Sequence, residues 1–462
     1  MRVLLVVYDN QSFISWFPQG LGHIAAVLEQ EGCSVEVYNQ DQHHYPDAQL
    51  TEYLDQNRVD IVGVSVIGGY YQYRRLLGLS QAINRSRQRP FYILGGHGPV
   101  PDPRYFFEKT RYDALVMGEG ENTIVELLRA LSAKKDLSGV AGIAFPKEGK
   151  VVINAPRPLI PDIDRIPRPA YHLFPMTYYR LLRMPRAEPT DFVAPLLSGR
   201  GCLFTCNFCY RMDKGFRPRS AEAISEEIAF LKREHGITYI AFSDELLMSS
   251  QARTEELCRS FIGKRLGVRW CCNGRLNFAE PALLRLMKEA GCVFINYGIE
   301  AFDDQVLRNM KKALTTKQIV AGIEATLASG ISPGFNIIFG NIGDSRETLR
   351  KGVDFLLRYD DGAQMRTIRP VTPYPGSPLF DHAVEKGLLK DCADFYENKH
   401  LNSDLLSVNF TELSDEEFHQ ALFDANRRLI ENYHQHQARR TVSAARSLYI
   451  GRDASFRGFR QS

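Results

Sequence analysis

Along the first 135 positions, apolar residues come in short runs separated by stretches where they recur every three or four places. The runs are "VLLVVY" (3–8), "SVEVY" (34–38), "DIVGVSV" (60–66), "FYILGG" (91–96) and "DALVMGEGE" (113–121). Their β-branched content reads as buried strands. Between them, "GLGHIAAVLEQEG" (20–32) sets Ile24, Val27 and Leu28 on one face and ends at Gly32, the pattern of an amphipathic helix with a glycine cap. Such alternation predicts an α/β fold, a doubly wound, Rossmann-like parallel sheet covered by helices. A second series runs through "FVAPLLSG" (192–199), "TYIAFSD" (238–244), "VRWCCNG" (268–274), "CVFINYGIE" (292–300), "GFNIIFG" (334–340) and "MRTIRPVTPYPG" (365–376). Six strand–helix units of about thirty residues predict a partial or full (β/α) barrel, whose chemistry sits at the strand C-termini.

Between the two series, "GIAFPKEGKVVIN" reads as a hairpin, and the proline-dense "APRPLIPDIDRIPRPAYHLFP" as an extended connector. Downstream, "ELSDEEFHQALFDANRRLIENYHQ" offers Leu413, Phe418, Leu422 and Leu429 on one helical face. The expected organisation is a first domain over 1–140, hairpin and linker over 141–190, a barrel over 191–390 and a helical extension with a basic tail over 391–462.

Composition narrows the function classes. There is no apolar run of eighteen residues, and "MRVLLVVYDN" reads as a strand rather than a secretion signal, so a cytoplasmic protein without an integral membrane segment is expected. A net charge of +3 over 462 residues gives no nucleic-acid track. The tail arginines, Arg439, Arg440, Arg446, Arg452, Arg457 and Arg460, read as a solvated end. Nine cysteines, an odd number, point to thiols or metal ligands rather than a disulfide framework.

The strand ends of the first series carry Gly68, Gly69, Gly95, Gly96 and Gly118, where backbone can approach a large ligand. Paired glycines are also ordinary turn punctuation. "RGCLFTCNFCY" (200–210) is more specific, with Cys202, Cys206 and Cys209 spaced C-x3-C-x2-C just past the first barrel strand. Three thiolates suit a four-iron four-sulfur cluster with one iron left open. A closed zinc site would want a fourth ligand, and Cys271 and Cys272, being adjacent, point to opposite faces of a strand.

On these residues the chain resembles the cobalamin-dependent radical S-adenosylmethionine (SAM) enzymes of methyltransferase type, over roughly residues 1 to 400. "FPQGLGHIAAVLEQEG", "GGHGPVPDP", "ALVMGEGE", "YGIEAFDDQVLRNMKK" and "PYPGSPLFDHAVEKGLL" are similar to the family's recurrent phrases. The resemblance implies a cobalamin-binding domain followed by a radical SAM barrel. It implies three cofactors, the four-iron cluster on Cys202, Cys206 and Cys209, SAM at the open iron, and cobalamin in the first domain. In the family scheme one SAM methylates reduced cobalamin and a second yields a 5′-deoxyadenosyl radical, which removes hydrogen from an unactivated carbon that then takes the methyl group.

By the same resemblance, Asp244, Glu245, Asn273, Arg275 and Glu300 at barrel strand ends meet SAM or substrate, and Phe208 and Tyr210 lie against the adenine. Tyr8, Asp9, Ser65, Gly68, Gly69, Tyr70, Gly95, Gly96, His97, Gly118 and Glu119 border cobalamin. The chain departs from the family's D-x-H-x-x-G signature, because "YDNQSFISW" has Asp9 but no His two places on, so a histidine ligand to cobalt is not implied there. His23 reads as a packed or surface helical residue. The implied activity is C-methylation of a peptide, lipid or small molecule, with an external low-potential electron donor. A cyclase or rearrangement enzyme using the same cofactors, and a cofactor-binding sensor without turnover, remain open alternatives.

Overall fold

The computed structural model describes residues 1–11, 16–210, 215–456 and 459, which leaves Arg457 and Arg460 of the basic tail outside the described residues. The first sheet contains β1 (Arg2–Val7), β2 (Ser34–Asn39), β3 (Ile61–Ser65), β4 (Phe91–Gly95), β5 (Ala114–Val116), β6 (Ile143–Lys147) and β7 (Lys150–Ile153), in the order β2-β1-β3-β4-β5-β6-β7. β1 to β5 pair in parallel, and the order 2-1-3-4-5 places a ligand crevice beyond the carboxyl ends of β1 and β3. β5 is short because Gly118 turns the chain at φ +80°. The hairpin expected in the connector joins this sheet instead: β6 pairs antiparallel with β5 through Leu115 and Ala144, so the sheet runs on to Ile153.

The second sheet contains β8 (Val193–Leu196), β11 (Tyr239–Phe242), β12 (Arg269–Gly274), β13 (Cys292–Glu300), β14 (Ser332–Phe339) and β15 (Arg369–Pro370). These strands are parallel and neighbour one another in chain order, a curled half-barrel rather than a closed one. β9 (Gly199–Cys202) and β10 (Gly215–Pro218) form a separate antiparallel hairpin after β8. Cys271 and Cys272 do face opposite ways, Cys271 toward Tyr239 and Phe294 and Cys272 into the helix-covered core.

The two halves share a core. One hydrophobic cluster runs from Val3 and Leu5 through Phe17, Tyr171 and Phe174 to Leu196 and Ile240. The proline-dense connector is therefore packed, with the Phe17 ring 5.0 Å from Tyr171 and 5.1 Å from Phe174. The other face of the first sheet is covered by residues from late in the chain, among them Ala383, Leu389, Phe395 and Tyr396. Glu397 anchors this cover, accepting from Tyr105 at 3.0 Å and pairing with Lys109 at 2.9 Å. The helix Asp415–Tyr449 lies along the helix Arg346–Tyr359, and its Phe418 ring stacks on Phe339 at 4.7 Å.

His400 belongs to the same cover, stacked on Phe395 at 4.9 Å with neither ring nitrogen hydrogen-bonded. Burial pushes its pKa from 6.5 down to about 4. A depressed histidine pKa means the unfolded chain takes the proton first, so this contribution is intact above pH 6.5 and is lost as pH falls toward 4. Replacing His400 by Phe should remove that acid sensitivity, up to about 3 kcal/mol, in urea unfolding of cofactor-free protein compared at pH 7 and pH 4. An unchanged acid dependence would show that His400 does not carry it.

Candidate active site

The three loop cysteines lie on a segment that is tightly pinned. Cys202 ends β9 opposite Gly215, and the chain then runs through Phe204, Cys206, Phe208 and Cys209 to Tyr210. Asn207 is the pin. Its backbone N–H donates to Met310 O at 3.0 Å, its carbonyl accepts from Leu379 N at 2.8 Å, and its amide exchanges hydrogen bonds with that of Asn341 at 3.2 and 3.1 Å. Asn341 is held in turn by Asp344, which accepts from the backbone N–H groups of Gly340 and Asn341 at 3.0 Å each.

The thiols sit under two buried cations. Cys209 donates to Cys206, and against the opposing effect of burial this bond, aided by Lys312 and Arg275, draws the Cys206 pKa down to about 6. The same bond, with burial, holds Cys209 up, while burial raises Cys202. Lys312 pairs with Glu300 at 2.9 Å and lies 5.9 Å from the Phe208 ring. Arg275 places its guanidinium 3.4 Å over the Phe204 ring and donates to the carbonyl of Lys312. Glu300 stands at φ +69° where the register of β13 against β14 shifts, a strained position that aims its carboxylate at Lys312.

The other barrel residues marked in the sequence are engaged with protein. Asp244 is buried and closes on Ser198, accepting from its N–H at 3.0 Å and from its hydroxyl; burial raises its pKa. Asn273 donates to the Asp244 carbonyl at 3.0 Å and accepts from Asn296 at 3.0 Å. Glu245 is exposed, and its charge bears on Cys202. Tyr210 packs where Gly376 leaves room for it, since a Cβ on Gly376 would stand 2.5 Å from its ring. The Tyr210 ring is also 5.8 Å from His97, so the end of β4 touches the cysteine loop.

The glycines of the first domain divide into two kinds. Gly95 and Gly118 have no other atom within 4 Å of a Cβ position and border open space. At Gly96, with φ +91°, a Cβ would lie 2.1 Å from Val66 O, so the fold's own backbone already requires a glycine there. Gly69 caps the helix Tyr70–Arg85, and Gly68 lies under the Tyr396 hydroxyl, 3.3 Å from its Cβ position. Tyr70 carries Arg74 at 5.1 Å, Ser65 pairs with Gly95, and Tyr8 contacts Gln72. Asp9 accepts from Gln11 N at 2.6 Å and meets His44 Nδ1 at 2.9 Å. Glu119 is buried and turned to Arg200 and Arg217. His23 is packed, with Nδ1 3.0 Å from Pro167 O.

Two substitutions separate these roles. Gly95→Leu should leave thermal unfolding unchanged and, if cobalamin sits at Gly95 as the resemblance implies, weaken its binding by filling the open space, whereas Gly96→Val should destabilise the first domain strongly. Circular dichroism and cobalamin titration distinguish them, and equal loss of fold in both would refute the assignment.

Residues 196–356 match the radical SAM superfamily and residues 10–128 the B12 binding domain. The chain carries both a B12-binding domain and a radical SAM domain, the pairing found in cobalamin-dependent radical SAM enzymes. It is similar to an uncharacterised methyltransferase of Pyrococcus horikoshii, 28% identical over 400 residues and covering 84% of each chain. It is also similar to the anaerobic magnesium-protoporphyrin IX monomethyl ester cyclase of Rubrivivax gelatinosus, 28% identical over 383 residues, with 80% of this chain and 67% of that one covered. The fold is shared with the radical SAM methyltransferase TsrM from Kitasatospora setae, with a TM-score of 0.72 at 20% identity over 92% of this chain and 88% of that one.

The enzyme's cofactors are a four-iron four-sulfur cluster, SAM and cobalamin. The residues present fit them. Soft thiol donors beside Lys312 and Arg275 suit an iron–sulfur cluster, and the open strand ends at Gly95 and Gly118 leave room for a corrinoid. Among the described residues no group of three or more His, Cys, Asp or Glu closes around a single ion. Sequence reasoning passed over Asn207, Lys312, Asn341, Arg200 and Arg217. The first and fourth lie inside "RGCLFTCNFCY" itself, and Lys312 ends the quoted "NMKK".

Proposed function

We propose that the enzyme is a C-methyltransferase that moves a SAM-derived methyl group to an unactivated carbon of a peptide, lipid or small molecule. In this reading Cys202, Cys206 and Cys209 hold the cluster, and the crevice at Gly95 and Gly118 seats cobalamin. The contact of His97 with Tyr210 at 5.8 Å supports it most directly, because the end of β4 and the cysteine loop then border one space. When bound, the cluster supplies the electron that cleaves SAM, and cobalamin carries the methyl group.

The chain's own residues do the rest. The hydrogen bond from Cys209, aided by Lys312 and Arg275, favours the Cys206 thiolate, the form that ligates iron. Asn207 fixes the loop, and Phe204, Phe208 and Tyr210 keep water from a reactive radical. Asp244, Asn273, Arg275 and Glu300, braced on protein partners, form a rigid frame at the strand ends where SAM is held, and Glu245 stands at its rim. An external low-potential donor supplies electrons, and the enzyme works in the cytoplasm. No helix among the described residues is long and apolar enough to cross a membrane.

The similarity to a cyclase sustains a second reading in which SAM is cleaved without methyl transfer. Anaerobic incubation with methyl-labelled SAM, reductant, cobalamin and candidate substrates decides between them. Label in the product, with equal yields of S-adenosylhomocysteine and 5′-deoxyadenosine, is expected. Substrate-dependent 5′-deoxyadenosine without label would favour the cyclase.

A further inference from the structure

Arg200 and Arg217 face each other across the hairpin β9–β10, whose first strand ends in Cys202. Like charges so placed repel unless something lies between them. Glu119 lies there: its carboxylate takes Arg200 at 2.8 Å and Arg217 at 2.9 and 3.0 Å. Glu121 completes the group, reaching Arg200 at 2.5 Å. The glutamates are buried and the arginines half-buried, with side-chain exposures of 2% and 8% for the glutamates and 18% and 16% for the arginines. The connector is tied in as well, since Ile160 N donates to Glu119 and Ile160 O accepts from Arg217, both at 2.6 Å.

Holding the halves together does not need this network. The shared core of Phe17, Tyr171 and Phe174 already joins them, and buried ion pairs are poor glue because both charges lose their water. What guanidinium–carboxylate forks add is fixed geometry. The network's ends are telling. Glu119 directly follows Gly118, which borders open space past the end of β5, at the same carboxyl edge of the sheet as the crevice, and Arg200 lies two residues before Cys202. A path of two side chains thus runs from the cobalamin crevice to the cysteine loop.

We propose that Arg200, Arg217, Glu119 and Glu121 are positioning residues that set the spacing between the cobalamin crevice and the cluster loop. The proposal rests on the placement of the two cofactors given above. Cleavage of SAM needs the cluster alone, whereas methyl transfer needs cobalt, substrate carbon and radical source in one geometry. Misplacement of about 1 Å is enough to slow a positioned reaction about a hundredfold. Loosening the network should therefore uncouple the two reactions.

The test uses the full-length enzyme loaded anaerobically with cluster and cobalamin, comparing wild type with Arg200→Gln, Glu119→Gln and the milder Arg217→Lys, which keeps its charge and remains foldable if the others are not. Iron and cobalamin content should match wild type. Pulsed EPR between the reduced cluster and paramagnetic cobalamin should give one narrow distance distribution in wild type and a broadened one in the Gln variants, with Arg217→Lys between. The yield of 5′-deoxyadenosine per methylated product should rise about tenfold or more in the Gln variants. Unchanged distance distributions in fully loaded variants would overturn the proposal. Selective loss of one cofactor would also overturn it, by assigning the residues to that cofactor's own site. If wild type makes no methylated product, the methyl-transfer reading fails, while the distance measurement still judges the network.

Discussion

Cys206→Ala abolishes the four-iron cluster and all SAM cleavage, and Cys202→Ala and Cys209→Ala do the same, whereas Cys258→Ala and Cys392→Ala leave both intact. This is the expected result because only the first three thiols share a loop and feel its buried cations. Cys206 is held toward the thiolate by Cys209, Lys312 and Arg275, and it is the thiolate that ligates iron. Cys258 and Cys392 are buried in the two hydrophobic cores, away from that loop, as small packed hydrophobes. The measurement is iron and sulfide per chain after anaerobic reconstitution, about four of each in wild type, with the EPR of the reduced protein and the yield of 5′-deoxyadenosine. A cluster that survives all three loop substitutions would refute the ligand assignment.

Lys312→Met should destabilise the folded barrel by about 3–5 kcal/mol, because it leaves the Glu300 carboxylate buried without a partner. The two side chains are 7% and 11% exposed, so little water replaces the lost cation. The double variant Lys312→Met with Glu300→Gln should recover most of the loss, since a neutral amide in that pocket lacks the carboxylate's desolvation penalty. Denaturant unfolding of cofactor-free protein measures the cycle. Additive losses in the double variant would mean that Lys312 acts through packing on Phe208 rather than through Glu300. The cofactor-free double variant should also take up its cluster more slowly than wild type, because one of the two cations above Cys206 is gone.

Much of the architecture was legible in the sequence because strands buried on both faces must be continuous apolar runs. Ten of the eleven quoted runs became strands of four residues or more, or of three in the case of β5; "MRTIRPVTPYPG" kept only Arg369–Pro370, since its prolines cannot continue a ladder. The cysteine loop was legible for a similar reason, as all its donors lie close together in the chain. Pairings between distant polar residues left no such trace. Arg200 and Glu119 are 81 positions apart, and Asn207 and Asn341 are 134 apart. No local period marks such partners, and a buried Asn or Arg looks like a surface one until the fold brings its partner near. Gly96 shows the converse, a glycine whose packing requirement, the Val66 carbonyl beside it, the sequence does not reveal. The cover over the first sheet was equally hidden, because the apolar residues of 383–396 say nothing locally about which sheet they will reach.

Asn207 also sets an order of events in time. Its amide partner Asn341 is 134 residues further along, and Leu379, which holds its carbonyl, comes later still. At synthesis rates of about 5–20 residues per second, Asn341 emerges roughly 7–27 seconds after Asn207. Through that interval Cys202, Cys206 and Cys209 ride on a tethered but unpinned loop, already made and not yet enclosed. The loop that carries the three thiols thus reaches its pinned form only as the last third of the chain is delivered.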